Sequence, residues 1–295
     1  MQKRGGELLP NYAVINKIRE VSLSSNNQYI HTKVFSEYQL QALKDFFGSN
    51  EALYARKINI PIDKIVALSR KHDAWYDGDT WLDIVQQHLH GTDWNDAVFD
   101  YCESSLFEKE FPAPGARGYL ELTSYNGLAL CDNGNHRLPA MICWLASKYN
   151  HKYELKDVSV NLIPFNNQYM KTFKTFYSDL TSSIYLFIGE LKDYQKELFD
   201  VTTSQIFFMD NKLYALSESA VQLIFEKRDS SIDQIKRMFY AKEAKIYEAK
   251  KKQPITDLND EHEKERWIEI PNYLLIKLFD DTWFNNTYLD EKDKQ

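Results

Sequence analysis

Between Tyr119 and Lys148 the sequence leaves the backbone few choices. Two apolar runs, Tyr119 to Thr123 and Leu128 to Cys131, flank Tyr125-Asn126-Gly127. Asn-Gly tolerates the two positive φ angles of a tight hairpin turn, so the segment predicts two paired strands. The second strand runs into Asp132-Asn133-Gly134-Asn135-His136-Arg137-Leu138-Pro139 and then into Met141, Ile142, Trp144 and Leu145 at helical spacing. Proline fits a first helical turn, where its missing N–H has no acceptor to lose. A strand, a glycine turn and a helix therefore follow one another without a linker, which requires a fold that mixes sheet and helix.

The rest of the chain supplies the partners for that unit. Leu40, Leu43, Phe46 and Phe47 share a helical face, with Ser36 as N-cap and Gly48 as stop. Ile58, Ile60 and Ile62 alternate as in a strand, and Pro61 marks its edge or end. Asp79 or Thr80 caps a helix over Trp81 to Leu89, and Trp94 to Leu106 reads as another. Phe111 to Gly118 is a turn-rich connection, and Val158 to Ile163 alternates as a strand. Beyond about residue 165 the pattern reads as mainly helical, over Tyr169 to Leu180, Ile188 to Phe199 and Ser217 to Phe225, with one hairpin turning at Asp210-Asn211. The expected fold class is α+β. An N-terminal extension covers 1–56, a small mixed-sheet domain 57–165, and a mainly helical region 166–295.

Composition removes several classes. Three cysteines without regular spacing do not make a disulfide framework, and no Cys/His set has zinc spacing. The first twenty residues lack an apolar run, and no segment approaches the ~20 apolar residues of a membrane span. The expectation is a cytoplasmic protein with no membrane partner. A net charge of −7 gives no overall attraction to nucleic acid, so any DNA contact needs a local basic patch.

The chemistry concentrates at Gly134-Asn135-His136-Arg137. A helix N-terminus offers unpaired N–H groups and the positive end of the helix dipole. Gly134 permits close backbone approach, and Arg137 presents a planar fork suited to phosphate oxygens. Together they predict an anion site for nucleotide phosphates. The alternative is an ordinary turn in which Arg137 pairs with a surface carboxylate.

Gly134-Asn135-His136-Arg137-Leu138-Pro139-Ala140 resembles the G-x-x-R-x-x-A signature of the ParB/sulfiredoxin superfamily. ParB proteins carry Gly-Glu-Arg-Arg there, sulfiredoxins Gly-Cys-His-Arg, and related DNA-modification proteins and free-serine kinases Asp-Gly-x-x-Arg. Ile58-Asn59-Ile60-Pro61-Ile62-Asp63-Lys64-Ile65 is similar to that family's opening strand. The resemblance spans about residues 57–165. It implies a nucleotide-binding α/β domain that takes ATP or CTP with Mg²⁺, in which Gly134, His136 and Arg137 meet the phosphates and Asn135 fills the variable slot. The departures are specific. Asn135 cannot form the thiolate that sulfiredoxin chemistry needs, and Cys131 reads as a core thiol. Asn133 stands where the kinases place an acid. Asp132 is one residue further back, and a one-residue offset on a strand reverses side-chain direction. Asp132 acts as base or metal ligand only if the turn is bulged.

Other candidates accompany the motif. Asp73, Asp77 and Asp79 lie between the opening strand and the next helix, placed for Mg²⁺ ligation or base work; the alternative is a solvated turn with Asp79 as N-cap. His88 and His90 read as surface residues. Arg117, between Gly115 and Gly118, is placed to reach a ligand or to sit on a mobile loop. Residues 227–252 hold nine Lys/Arg against four Asp/Glu, a local net of 9 − 4 = +5. Arg237, Lys242 and Lys245 there are candidate DNA contacts, while Ile232, Ile235, Met238, Phe239 and Ile246 form a stripe suited to core packing, a protein partner or a homodimer. Two functions follow. One is a nucleotide-dependent phosphohydrolase or phosphotransferase, with His136, Asp132 and Asp77 as catalytic candidates and nucleic acid as a possible substrate. The other is a non-catalytic module in which nucleotide switches a DNA- or protein-binding surface.

Overall fold

Alternating apolar residues place the first long strand. In the computed structural model, which describes residues 12–69, 75–76, 78–89, 93–177, 181–188, 200–201, 205–226, 234 and 267–294, Ile58 and Ile60 point inward from β2 (Leu53–Pro61). The described residues fall into two units, one of 1–40, 52–163 and 282–295 and one of 41–51 and 164–281.

The first unit holds a six-stranded mixed sheet. Its strands are β1 (Phe35–Ser36), β2, β3 (Ile65–Leu68), β4 (Glu121–Tyr125), β5 (Leu128–Asn133) and β6 (Glu154–Ile163), in the order β1-β3-β5-β4-β6-β2. β2 is an edge strand, which is why Pro61 is tolerated at its end. β4 and β5 form the expected hairpin, with Asn126 at φ 48° and Gly127 at φ 101°. α5 (Arg137–Lys148) follows β5 almost at once, with His136 at its N-cap. Ten of its residues, Arg137 through Ala146, are buried, because it packs against α1 (Ala13–Leu23), α3 (Trp81–Asp83) and α4 (Ala97–Glu103). The N-terminal segment and the last helix therefore belong to this unit's core.

The helix expected from Trp81 to Leu89 begins as predicted but changes form. Thr80 and Asp83 make a capping box: the Thr80 hydroxyl accepts the Asp83 N–H at 3.1 Å, and Asp83 accepts the Thr80 N–H at 3.0 Å. After three residues the chain widens into a π-helical turn, Ile84–His88. Arg19 of α1 donates to the Val85 carbonyl at 3.0 Å and helps to hold that turn. Trp94 to Leu106 keeps only α4 as helix.

The second unit includes most of α2 (Glu37–Phe47), which stops at Gly48 with φ 70° as expected. It adds α6 (Asn167–Tyr177), α7 (Asn272–Phe279) and five strands: β7 (Ile184–Phe187), β8 (Ile206–Met209), β9 (Lys212–Leu216), β10 (Val221–Glu226) and β11 (Trp267–Ile270). They form one antiparallel sheet in the order β10-β9-β8-β7-β11. The hairpin at Asp210-Asn211 is present, both residues having positive φ. The described part of this region thus holds a five-stranded sheet beside its helices, and Ser217 to Phe225 is not a helix. Ser217 folds back on Ala220 through N–H···O at 2.9 Å and through its hydroxyl, and Val221 to Glu226 then pairs with β9. β-branched and aromatic residues there fit an edge strand better than a helix. The α+β class holds. Residues 189–199, which carry most of the expected helix Ile188 to Phe199, and Arg237, Lys242 and Lys245 lie outside the described residues. α8 (Thr282–Lys292) returns to the first unit, where Phe284 packs against Gly127 and the Trp283 indole donates to the Asn59 carbonyl at 3.0 Å. No helix among the described residues is long and apolar enough to cross a membrane.

Candidate functional site

β5 carries one residue more than its partner at its end. Glu121 opposes Asn133 and Leu122 opposes Cys131, so Asp132 is the extra residue of a β-bulge. The bulge separates two neighbouring side chains. Asn133 lines a cavity, and Asp132 does not. The Asp132 carboxylate instead accepts the Thr123 hydroxyl at 2.7 Å. Burial pushes its pKa up, the Thr123 bond opposes this, and Glu37 and Glu121 add to the rise.

The turn after the bulge is fixed by Asn135. Its side-chain oxygen accepts the Ser69 N–H and its amide donates to the Ser69 hydroxyl, both at 3.1 Å. The Ser69 hydroxyl in turn donates to the Asp132 carbonyl at 3.2 Å. Asn135 therefore ties the end of β3 to the start of α5, and its polar atoms serve the frame. Gly134 sits at φ 121°, where a side chain is strained. A Cβ there would fall 2.8 Å from Leu120 and 2.9 Å from Arg137 Nε. The space that glycine frees is occupied by the protein's own Arg137 and Leu120, while Gly134 itself lines the cavity described below.

Arg137 is the unusual residue. It is 5% exposed at the first position of α5. Nη1 donates to the Gly118 carbonyl at 3.0 Å, while Nε and Nη2 are buried without a hydrogen-bond partner. Its guanidinium lies 6.0 Å from the Phe111 ring centre, and it forms no ion pair with the described residues. The expected alternative, a surface salt bridge, is absent among them. Near it, the Tyr101 hydroxyl is also buried without a partner. Burial pushes that phenol up to about 12, against a lowering by the Arg137 charge. The Cys131 thiol is pushed up by burial too, which suits a core group rather than a nucleophile.

Arg137 lines a cavity of about 480 Å³, within the range of small-molecule sites. Asn133, Gly134, Asn135, His136 and Arg137 form one wall. Trp94, Phe111 and residues 113–117 form the other. Among the described residues no Asp or Glu lines the cavity, and the described lining carries two arginines and a histidine. Sequence reasoning found the first wall and Arg117. It missed Trp94 and Phe111, whose approach depends on a tertiary crossing; the Pro- and Gly-rich run around Arg117 was the available signal.

The remaining candidates separate from this cavity. Asp79 accepts the Tyr76 N–H at 2.7 Å and lies 3.2 Å from His88 Nε2, so it shapes a turn and leaves the helix cap to Thr80. His88 is 17% exposed and packs edge-on to Tyr76 with ring centres 4.8 Å apart, covered rather than on the surface. Asp73 and Asp77 lie outside the described residues. Among the described residues no three His, Cys, Asp or Glu side chains group closely enough to hold a metal ion, so Asp132 has no companion ligands for Mg²⁺ there. No family model, curated protein or solved structure matches this chain.

Proposed function

We propose that the cavity binds the phosphates of a nucleotide, ATP or CTP, with Arg137 as the inner contact. One observation carries this reading: a buried guanidinium with two nitrogens, Nε and Nη2, that have no hydrogen-bond partner among the described residues, on a cavity whose described lining holds no carboxylate. A buried charge without a counter-ion costs several kcal/mol, and an anion in the cavity offsets that cost. The start of α5 adds a favourable dipole at the same point. The order of strand, capped helix, hairpin, Gly134-x-x-Arg137 helix and closing strand supports the ParB/sulfiredoxin-like reading of residues 57–165.

Of the two functions, a nucleotide-binding module fits the walls better. Phosphoryl transfer with Mg²⁺ needs carboxylates near the phosphates, and the described lining residues include none. Hydrolysis or transfer is the second reading; it rests on His136 as acid–base group at the cavity, with Asp77 as the source of a carboxylate. DNA contact through Arg237, Lys242 and Lys245 remains part of the proposal on sequence grounds. Incubating the full chain with labelled ATP or CTP, with and without Mg²⁺ and DNA, distinguishes the readings. Tight binding with no released phosphate supports the module; release that disappears in Asp77→Asn supports the enzyme.

A further inference from the structure

Arg117 has the opposite character to Arg137. It is exposed, lines the same cavity, and makes no hydrogen bond or ion pair to the described residues. An exposed arginine is ordinarily a solvated group, but the root of this one is fixed. The next carbonyl, Gly118 O, accepts Arg137 Nη1 at 3.0 Å. The one after it, Tyr119 O, accepts Asn133 Nδ2 at 2.6 Å. Gly118 has φ 69°, and a Cβ there would meet Asn133 Nδ2 at 2.8 Å, so only glycine lets the chain pass this close to the inner wall. The backbone that carries Arg117 is thus pinned to the residue that makes the inner anion contact. Arg137 is the deep cation and Arg117 the rim cation of one cavity.

We propose that Arg117 is a specificity-determining residue that reads a second phosphoryl group, so that the site selects a polyphosphate chain over a single phosphate. The inference rests on the phosphate reading of the cavity. An anion with one phosphoryl group engages Arg137 and leaves Arg117 in water. A chain of two or three extends from the buried end to the rim, where a second guanidinium fork meets it. The rim contact is open to solvent, so its contribution falls as salt rises.

The test uses the full chain and three inorganic probes: orthophosphate, pyrophosphate and tripolyphosphate, titrated by calorimetry at low salt. Wild type binds tripolyphosphate about tenfold more tightly than orthophosphate, the scale of one charge-assisted contact. Arg117→Ala brings that ratio to within about twofold by weakening tripolyphosphate much more than orthophosphate, with the melting temperature unchanged, and Arg117→Lys restores part of the ratio. Lys152→Ala removes the same charge from an exposed site beyond the other end of α5 and leaves the ratio at its wild-type value. Equal affinity of wild type for all three probes overturns the proposal. So does a preference that survives Arg117→Ala, or one that Lys152→Ala abolishes equally. If none of the three probes binds wild type, the phosphate reading itself fails and this inference falls with it.

Discussion

Arg137 places a guanidinium at 5% exposure with one hydrogen bond, to a carbonyl. A residue retained for stability is expected to be paired; replacing an unpaired buried charge by an apolar side chain of similar length is neutral or stabilising. Arg137→Met therefore leaves the melting temperature of the ligand-free protein unchanged or raised, while nucleotide affinity falls by about 1.5–3 kcal/mol, the scale of a hydrogen bond to a charged group. Arg137→Lys recovers only part of that affinity, since an ammonium lacks the planar fork. Scanning calorimetry beside titration checks both halves. If Arg137→Met melts well below wild type, the residue is structural and the cavity argument loses its basis. The Gly-x-x-Arg spacing was legible in the sequence because a glycine turn before a proline-started helix leaves few geometries. Two things were not. The direction of Asp132 depends on a bulge that only pairing with β4 creates. Gly134 is required by the packing of Leu120 and Arg137, contacts that local sequence cannot show.

Two elements position the site, and each makes a separate prediction. The hairpin turn needs φ 101° at Gly127, and a Cβ there would approach Phe284 Cβ to 3.3 Å. Gly127→Ala should destabilise the chain by about 1–2 kcal/mol, the left-handed penalty for a non-glycine residue, measured by urea unfolding. The second concerns the join between α4 and the far end of α5. Burial raises the Glu103 pKa, but bonds from Lys148, Tyr149 and Trp144 outweigh it and hold the carboxyl below the usual range. A depressed carboxylate contributes stability that is complete above its unfolded pKa of about 4.3 and is lost as pH falls through the lower folded value. The gap in melting temperature between wild type and Glu103→Gln should be open at neutral pH and close in acid. A gap that widens below pH 4 contradicts the assignment. Hairpins at Asn126-Gly127 and Asp210-Asn211 were readable because the turn chemistry is local. β10 was not, since an edge strand with Leu223 exposed mimics a helical period over so few residues. The π turn at Ile84–His88 was equally hidden, its Val85 carbonyl being held by Arg19, 66 residues earlier.

At the scale of the whole molecule, the unit bearing the site is assembled from three separated stretches of chain. A linear reading divides a sequence into consecutive segments and has no means of returning its last helix to its first domain. The consequence is testable. Phe284 is 1% exposed and packs over the hairpin turn, so Phe284→Ala should cost about 3–5 kcal/mol, and removal of 282–295 should destabilise residues 12–163 even though the cavity lies elsewhere in sequence. The same unit places Arg117 and Arg137 on a cavity whose described lining holds no carboxylate, in a chain whose net charge is −7. The proposed binding of an anion there would be a property of the site, set against the average charge of the protein. Calorimetric titration of ATP and of CTP into wild type and Arg137→Met tests this most directly. The account predicts saturable binding of at least one nucleotide to wild type, weakened about tenfold or more in a variant that melts no lower, since each 1.4 kcal/mol is a factor of ten. Absence of binding to wild type, or equal affinity in the well-folded variant, contradicts it.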